Sequence, residues 1–430
     1  MKKYYKSICV IMAVMMICFT GCAGKKQADT PTITPSTTTS QTKEIKEVTE
    51  LSEQFKTGIN NFSFQIFEQL EDSENIFISP YSMAIAISML DNGAEGSSKE
   101  EIEQMLGIED LENWNACVAY YMSLHEEDAS KLLTANSLWL SEDIAISDNA
   151  ENDFFNPVKQ YYHSEKNQMD LTSEDTMNQI NSWVSDNTKG MIDSILDEPL
   201  DVNIKMALLN AVYFKGEWKE PFEEENTEKG QFYGKDETSQ ADMMYQANAK
   251  YKYLEKDNLK AIELPYENGK IVMDILIPIS AEEGNEKSKN MNELFSSLSM
   301  EEKVELFAAL SVTDEQTISI LELPKFELEY GVKDISTALQ AIGMKAPFDD
   351  FGFSKISPDV KVEKVLHKAK IQIDEKGTEA SAATTVTMVN DIAAFVDEEI
   401  KEFIVDQPFI FVIRDVENDM ILFMGSIQNL

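Results

Sequence analysis

The chain has 430 residues, 43% of them hydrophobic, which is enough for two or three ordinary domains or for one large one with a sizeable core. Asp and Glu number 77 against 37 Lys and Arg, a net charge of -40. Such a surface is repelled by nucleic-acid phosphates and anionic headgroups. Arg414 is the only arginine, so guanidinium clusters for phosphate or sulfated polymers are excluded too.

Lys2, Lys3 and Lys6 give a positive start, and an apolar run follows over residues 8–19. That run is short for a membrane span and suits the core of an export signal. It ends in Phe19-Thr20-Gly21-Cys22, which resembles a bacterial lipobox, with Cys22 lipidated as the mature N-terminus. The alternative is an ordinary cleaved signal that happens to contain a cysteine. A lipidated cysteine holds a protein stably at a membrane. Residues 23–42 are rich in Thr, Ser, Pro and Gln and predict a flexible stalk. The expected organisation is a signal over 1–21, a stalk over 22–43 and one folded part over 44–430, held at the extracellular face of a bacterial membrane. Cys9, Cys18 and Cys22 lie in the signal region, so Cys117 is left without a disulfide partner in the folded part.

Catalytic signatures are missing. His125-Glu126-Glu127-Asp128 lacks the second histidine of a zinc-protease helix, and there is no G-x-S-x-G elbow. Residues 93–99 hold glycines and a lysine, but not in phosphate-loop order. Cys117 sits in an apolar helical context and reads as a buried structural thiol rather than a nucleophile. No metal site, cofactor or enzymatic activity is expected.

Along the chain, Leu51, Phe55, Ile59, Phe62, Ile66 and Leu70 recur at helical spacing and predict a helix over 44–70. Residues 75–80 predict a short strand stopped by Pro80, and an apolar helix runs from Ser82 to Leu90, ending near Gly93. Helices continue to about residue 125. Residues 132–140 predict a buried strand and 178–185 a helix. Residues 206–214 are nearly all apolar and predict a strand covered on both faces. Further strands are predicted at 261–264, 271–277, 317–323, 325–330, 365–375, 409–414 and 421–427. Helices dominate the first third and antiparallel-style strands the rest, an α+β pattern with large sheets.

These segments carry a family resemblance. In order they are Asn75-Ile76-Phe77-Ile78-Ser79-Pro80-Tyr81-Ser82, Ala135-Asn136-Ser137-Leu138-Trp139, Asn210-Ala211-Val212-Tyr213-Phe214-Lys215-Gly216-Glu217-Trp218, Met243-Met244 and Glu263-Leu264-Pro265-Tyr266. Leu323-Pro324-Lys325-Phe326, Leu339-Gln340-Ala341-Ile342-Gly343-Met344 and His367-Lys368-Ala369 follow. Then come the stretch from Asp374 to Thr384, Pro408-Phe409 and Phe423-Met424-Gly425. Over residues 44–430 the chain resembles the serpins. The resemblance implies an α+β fold of about three β-sheets and about eight or nine helices. It also implies a monomer with an exposed reactive-centre loop, here about 375–403, that baits a serine protease. The cut loop enters the main sheet as a new central strand and drags the acyl-protease with it. By the same resemblance, Ser79, Ser82, Asn210 and His367 form a buried shutter under the sheet. For His367 the residues alone read as a satisfied core histidine, and a shutter is physically the same thing.

The loop can be tested for fitness to insert. A central strand cannot hold proline, and there is none over 377–403. Glu375 leads into the hinge, and Gly377 tolerates a hinge's backbone angles. Alternation places Thr378, Ala380, Ala382 and Thr384 on one face, all uncharged, with Glu379, Ser381 and Ala383 on the other. About ten new ladder bonds at about 1 kcal/mol each are comparable with ordering about ten residues, so relief of strain elsewhere must contribute to the drive.

Counting forward from Gly377 by the family's usual spacing gives a cut at Asp391-Ile392. Counting back from Pro408 gives one between Ala394 and Asp397, because this loop is longer than usual. The candidates are Asp391, Ile392, Ala393, Ala394 and Phe395. No Lys or Arg lies between Gly377 and Ile400, which removes trypsin-like targets. Ala393, Ala394 and Phe395 suit elastase-, chymotrypsin- or subtilisin-like enzymes, and Asp391 an acid-directed one. The competing readings are a serpin cleaved as a plain substrate or acting as a binding module, and a solute-binding lipoprotein.

Overall fold

A computed structural model describes residues 46–70, 74–125, 131–279, 291–378 and 401–430. Cys22, the signal and stalk, Glu379 to Thr384 and all five candidate cleavage positions lie outside the described residues. Among those described there are ten α-helices and fifteen strands.

The helices are α1 (Glu53–Leu70), α2 (Pro80–Asp91), α3 (Gly96–Leu106), α4 (Leu111–Leu124), α5 (Asn156–Tyr162), α6 (Glu174–Asn187), α7 (Met291–Ser297), α8 (Met300–Val312), α9 (Ser336–Ala341) and α10 (Ala346–Asp349). Sequence chemistry explains four of their starts. Ser79 caps α2 by accepting from the Ser82 N–H, and Pro80 occupies the first turn, where no N–H is needed. Asp110 caps α4 and Ser173 caps α6 in the same way, and Ser299 with Glu302 closes a reciprocal capping box on α8. Every residue of α2 is buried, as its uninterrupted apolar run requires.

The strands form two sheets. Six strands make the first: β2 (Lys131–Ser141), β3 (Asn167–Met169), β4 (Met206–Glu217), β10 (Phe326–Asp334), β11 (Lys364–Asp374) and β12 (Gly377–Thr378). Its spatial order is β10-β11-β12-β4-β2-β3, and β11 also pairs directly with β4. The other nine are β1 (Ile76–Ile78), β5 (Glu228–Tyr233), β6 (Thr238–Lys256), β7 (Leu259–Pro265), β8 (Ile271–Pro278), β9 (Glu315–Pro324), β13 (Glu402–Ile404), β14 (Phe409–Asp415) and β15 (Met420–Ile427). The expected third sheet is joined to the second by β6. This 19-residue strand pairs with β5 and β9 along most of its length and with β7 at its end. The first strand pairs with the last, Ile76 opposite Ser426.

The main core lies between the two sheets, while a smaller one lies on the outer face of the six-stranded sheet under α6. β4 serves both. Met206, Leu208, Val212 and Phe214 enter the main core, and Ala207, Leu209 and Ala211 enter the other, which is why it reads as an unbroken apolar run. The expected element boundaries shift in places. The first helix begins at Glu53 rather than 44, α6 is longer than 178–185, and Lys325 is a one-residue corner between β9 and β10.

Candidate functional site

β4 and β11 run parallel, paired from Ala207 opposite Lys364 to Tyr213 opposite Lys370. Above Tyr213 they part. Into the gap comes β12, antiparallel to both, with Gly377 and Thr378 opposite Glu217 and Gly216 on one side and Asp374 and Ile373 on the other. The hinge root is therefore already the first rung of a strand between β4 and β11.

The turn that delivers it is tightly held. Asp374 Oδ1 accepts from the N–H groups of Lys376 (2.9 Å) and Gly377 (3.2 Å). Gly377 has φ 145°, and a Cβ there would sit 2.2 Å from the Gly216 carbonyl oxygen, so only glycine fits. Thr378 is fully buried, its hydroxyl 2.7 Å from that of Tyr266. Trp218 stacks on Tyr266 with ring centroids 4.7 Å apart, and its indole N–H donates to the Asp374 carbonyl at 3.0 Å. Glu375 points inward, where burial would raise its pKa. The Lys325 ammonium at 2.7 Å and the Thr227 hydroxyl at 2.8 Å outweigh that and hold it below the ordinary carboxylate value.

Lower down, Ser79, Ser82, Asn210 and His367 come together in one buried network. Asn210 on β4 and His367 on β11 are cross-strand partners, and Asn136 on β2 is opposite Asn210 on its other side. Asn210 Oδ1 bonds to His367 Nδ1, while Asn210 Nδ2 donates to both Ser82 Oγ and Asn136 Oδ1. His367 Nε2 accepts from the Ser79 N–H at 3.4 Å, so the proton lies on Nδ1 and the ring is neutral. Complete burial pushes its pKa down to about 3. Ser79 Oγ donates to the Leu422 carbonyl at 2.7 Å, tying α2 to β15. Asn136 is the member that sequence reasoning missed. Its one signal was an amide in the middle of a strand expected to be buried.

Over the outer face lies α6, with Ile180 and Val184 facing Ala207, Leu209 and Ala211. The segment after it is held by Asn181, whose Oδ1 accepts from the Ile195 and Leu196 N–H groups at 2.9 Å each. It is pinned to β11 by Lys368, which donates to the Ser194 carbonyl at 3.0 Å. As expected, Cys117 is a buried helical residue; its Sγ lies 3.9 Å from Ser52 Oγ and 3.9 Å from Asn113 Nδ2.

An α+β fold whose central sheet holds a parallel seam with a loop root wedged into it defines the class. A family model described as Serpin (serine protease inhibitor) matches residues 57–430. The chain is 31% identical to an uncharacterised serpin-like protein of Thermococcus kodakarensis, covering 98% of each. It is also 31% identical to Iripin-2 of Ixodes ricinus, covering 86% of this chain and 92% of that one. The solved native-state structure of a thermophilic serpin, tengpin, matches with a TM-score of 0.77 at 29% identity, covering 90% of this chain and 97% of that one. The chain belongs to the serpin family, whose members are in general protease inhibitors rather than enzymes.

Proposed function

We propose that this protein inhibits serine proteases as a suicide substrate. The target's serine attacks a carbonyl in the loop, among Asp391 to Phe395. Its proton passes through the target's base to the leaving amine, and an acyl ester joins loop and target. The freed strand then continues from Thr378 into the seam between β4 and β11, antiparallel to both. The ester is carried along before water completes hydrolysis. The observation that carries this reading is β12, with Thr378 buried as the first member of the uncharged alternating set. Targets are elastase-, chymotrypsin- or subtilisin-like, since the loop offers no cation to a trypsin pocket. The protein acts as a monomer, tethered by a lipid on Cys22 to the extracellular face of a bacterial membrane, with the stalk over 22–43 as spacer.

The test is titration of the full-length chain in mild detergent against a subtilisin-like protease, read on a denaturing gel. The expected result is a boiling-resistant band near the summed mass, with near-stoichiometric loss of protease activity. Cleavage within 385–400 by subtilisin-, elastase- and acid-directed enzymes alike, with no such band, would overturn it in favour of a plain-substrate serpin. For the anchor, Cys22→Ser is expected to move the protein from the membrane fraction to the soluble one. Unchanged fractionation would refute lipidation.

A further inference from the structure

Away from the seam, Ser88, Asn92, Asn115 and Tyr162 form a buried polar knot where three helices meet. Ser88 lies on α2, Asn92 caps its end, Asn115 lies on α4, and Tyr162 ends α5. The two amides bond reciprocally, Asn115 Nδ2 to Asn92 Oδ1 at 2.7 Å and Asn92 Nδ2 to Asn115 Oδ1 at 3.3 Å. The Tyr162 hydroxyl donates to Asn115 Oδ1 and lies 3.2 Å from Ser88 Oγ.

The knot crosses a mechanical division. Ser79 Oγ ties α2 to the nine-stranded sheet at the Leu422 carbonyl of β15, while its bonds to the six-stranded sheet run through Asn210 and His367 at the seam itself. β10 is tied to the nine-stranded sheet too. It follows β9 after Lys325 alone, and Phe326 packs on Phe409 and Phe411 with centroids 5.8 and 5.4 Å away. α5 is joined through the chain to the far edge of the six-stranded sheet. Four residues, 163–166, join Tyr162 to β3, which pairs with β2. Admitting one more strand widens the seam by about 4.8 Å. That displaces the β2–β3 edge, with α5, relative to α2, and hydrogen bonds cannot follow a shift of that size. Apolar contacts could slide. Buried amides and hydroxyls are either paired or costly, so they give a threshold instead of a gradual yield.

We propose that the Ser88–Asn92–Asn115–Tyr162 knot is a clasp that holds the β2–β3 edge in its closed position and must release for a strand to enter the seam. It rests on the insertion reading above. These are positioning residues, none of them in the bait segment.

The experiment follows entry of a synthetic peptide with the sequence of residues 378–389 into the uncut full-length protein, read as a time-dependent rise in thermal midpoint. Tyr162→Phe removes only the hydroxyl and is expected to speed entry about five-fold, the effect of one net hydrogen bond. Asn115→Leu is expected to speed it further. Leu310→Ala, fully buried on α8 and away from the seam, lowers stability but is expected to leave the entry rate unchanged. Wild-type rates in both clasp variants, or equal acceleration by Leu310→Ala, would overturn the clasp while leaving insertion intact. A peptide that raises the midpoint of no variant, wild type included, would overturn the insertion reading and the clasp together.

Discussion

At His367 the folded protein keeps an imidazole neutral that water would let charge. Its folded pKa of about 3 lies below the ordinary value of 6.5, so between these two values the unfolded chain binds a proton that the folded chain does not. The ring's contribution is complete above about pH 6.5 and is lost as pH falls, by up to about 1.4 kcal/mol per pH unit. Asp91 and Asp274 oppose it. Burial raises each from 3.8 to about 6, so their protonation on acidification favours the folded state. A His367→Asn variant isolates the histidine. Its stability deficit relative to wild type is expected to shrink from pH 7 to pH 4, and a pH-independent deficit in denaturant titrations would contradict this. At Gly377 the expected penalty comes from backbone geometry. Gly377→Ala forces a Cβ against the Gly216 carbonyl at φ 145°, at a cost of about 1–3 kcal/mol. A lowered thermal midpoint and faster proteolysis around the hinge would show it, and an unchanged midpoint would refute it. Four of the five residues in this buried network were singled out from the sequence because each sits in a recognisable segment. Asn136 sits in one too, but an amide in a strand has no periodicity to mark it.

Among the elements, β9 and β10 matter most to the hinge, because Lys325 between them reaches Glu375. Lys325→Met leaves that carboxylate inward-facing without its cation. Because the lysine is partly exposed, the expected loss is about 1–2 kcal/mol, with the 374–377 turn more readily cleaved in limited proteolysis. Equal cleavage rates for variant and wild type would count against a holding role. Elements with an uninterrupted apolar run, such as α2 and β4, were plain in the sequence. α6 was read too short because only every fourth residue, Thr176, Ile180 and Val184, faces inward, leaving polar ends. β6 was missed because its exposed and buried positions alternate irregularly as it passes from one partner to another. The joining of two expected sheets follows from that same strand and could not be read locally.

For the whole molecule the dominant fact is charge. At -40 the chain repels itself, and salt relieves that repulsion. Raising ionic strength from about 0.01 M to about 0.15 M shortens the screening length from about 30 Å to about 8 Å. The thermal midpoint is expected to rise over that range, and a flat or falling midpoint would show that attractive pairs outweigh the repulsion.

The pairing of β1 with β15 also bears on when this molecule can form. Ile76 meets Ser426, and the Asn75 side chain bonds to the backbone of Gln428 and Asn429. A nascent chain has no partner for β1, and no carbonyl for Ser79 Oγ, until β15 leaves the ribosome. Seating of β1 therefore awaits synthesis of a segment more than three hundred residues further along the chain.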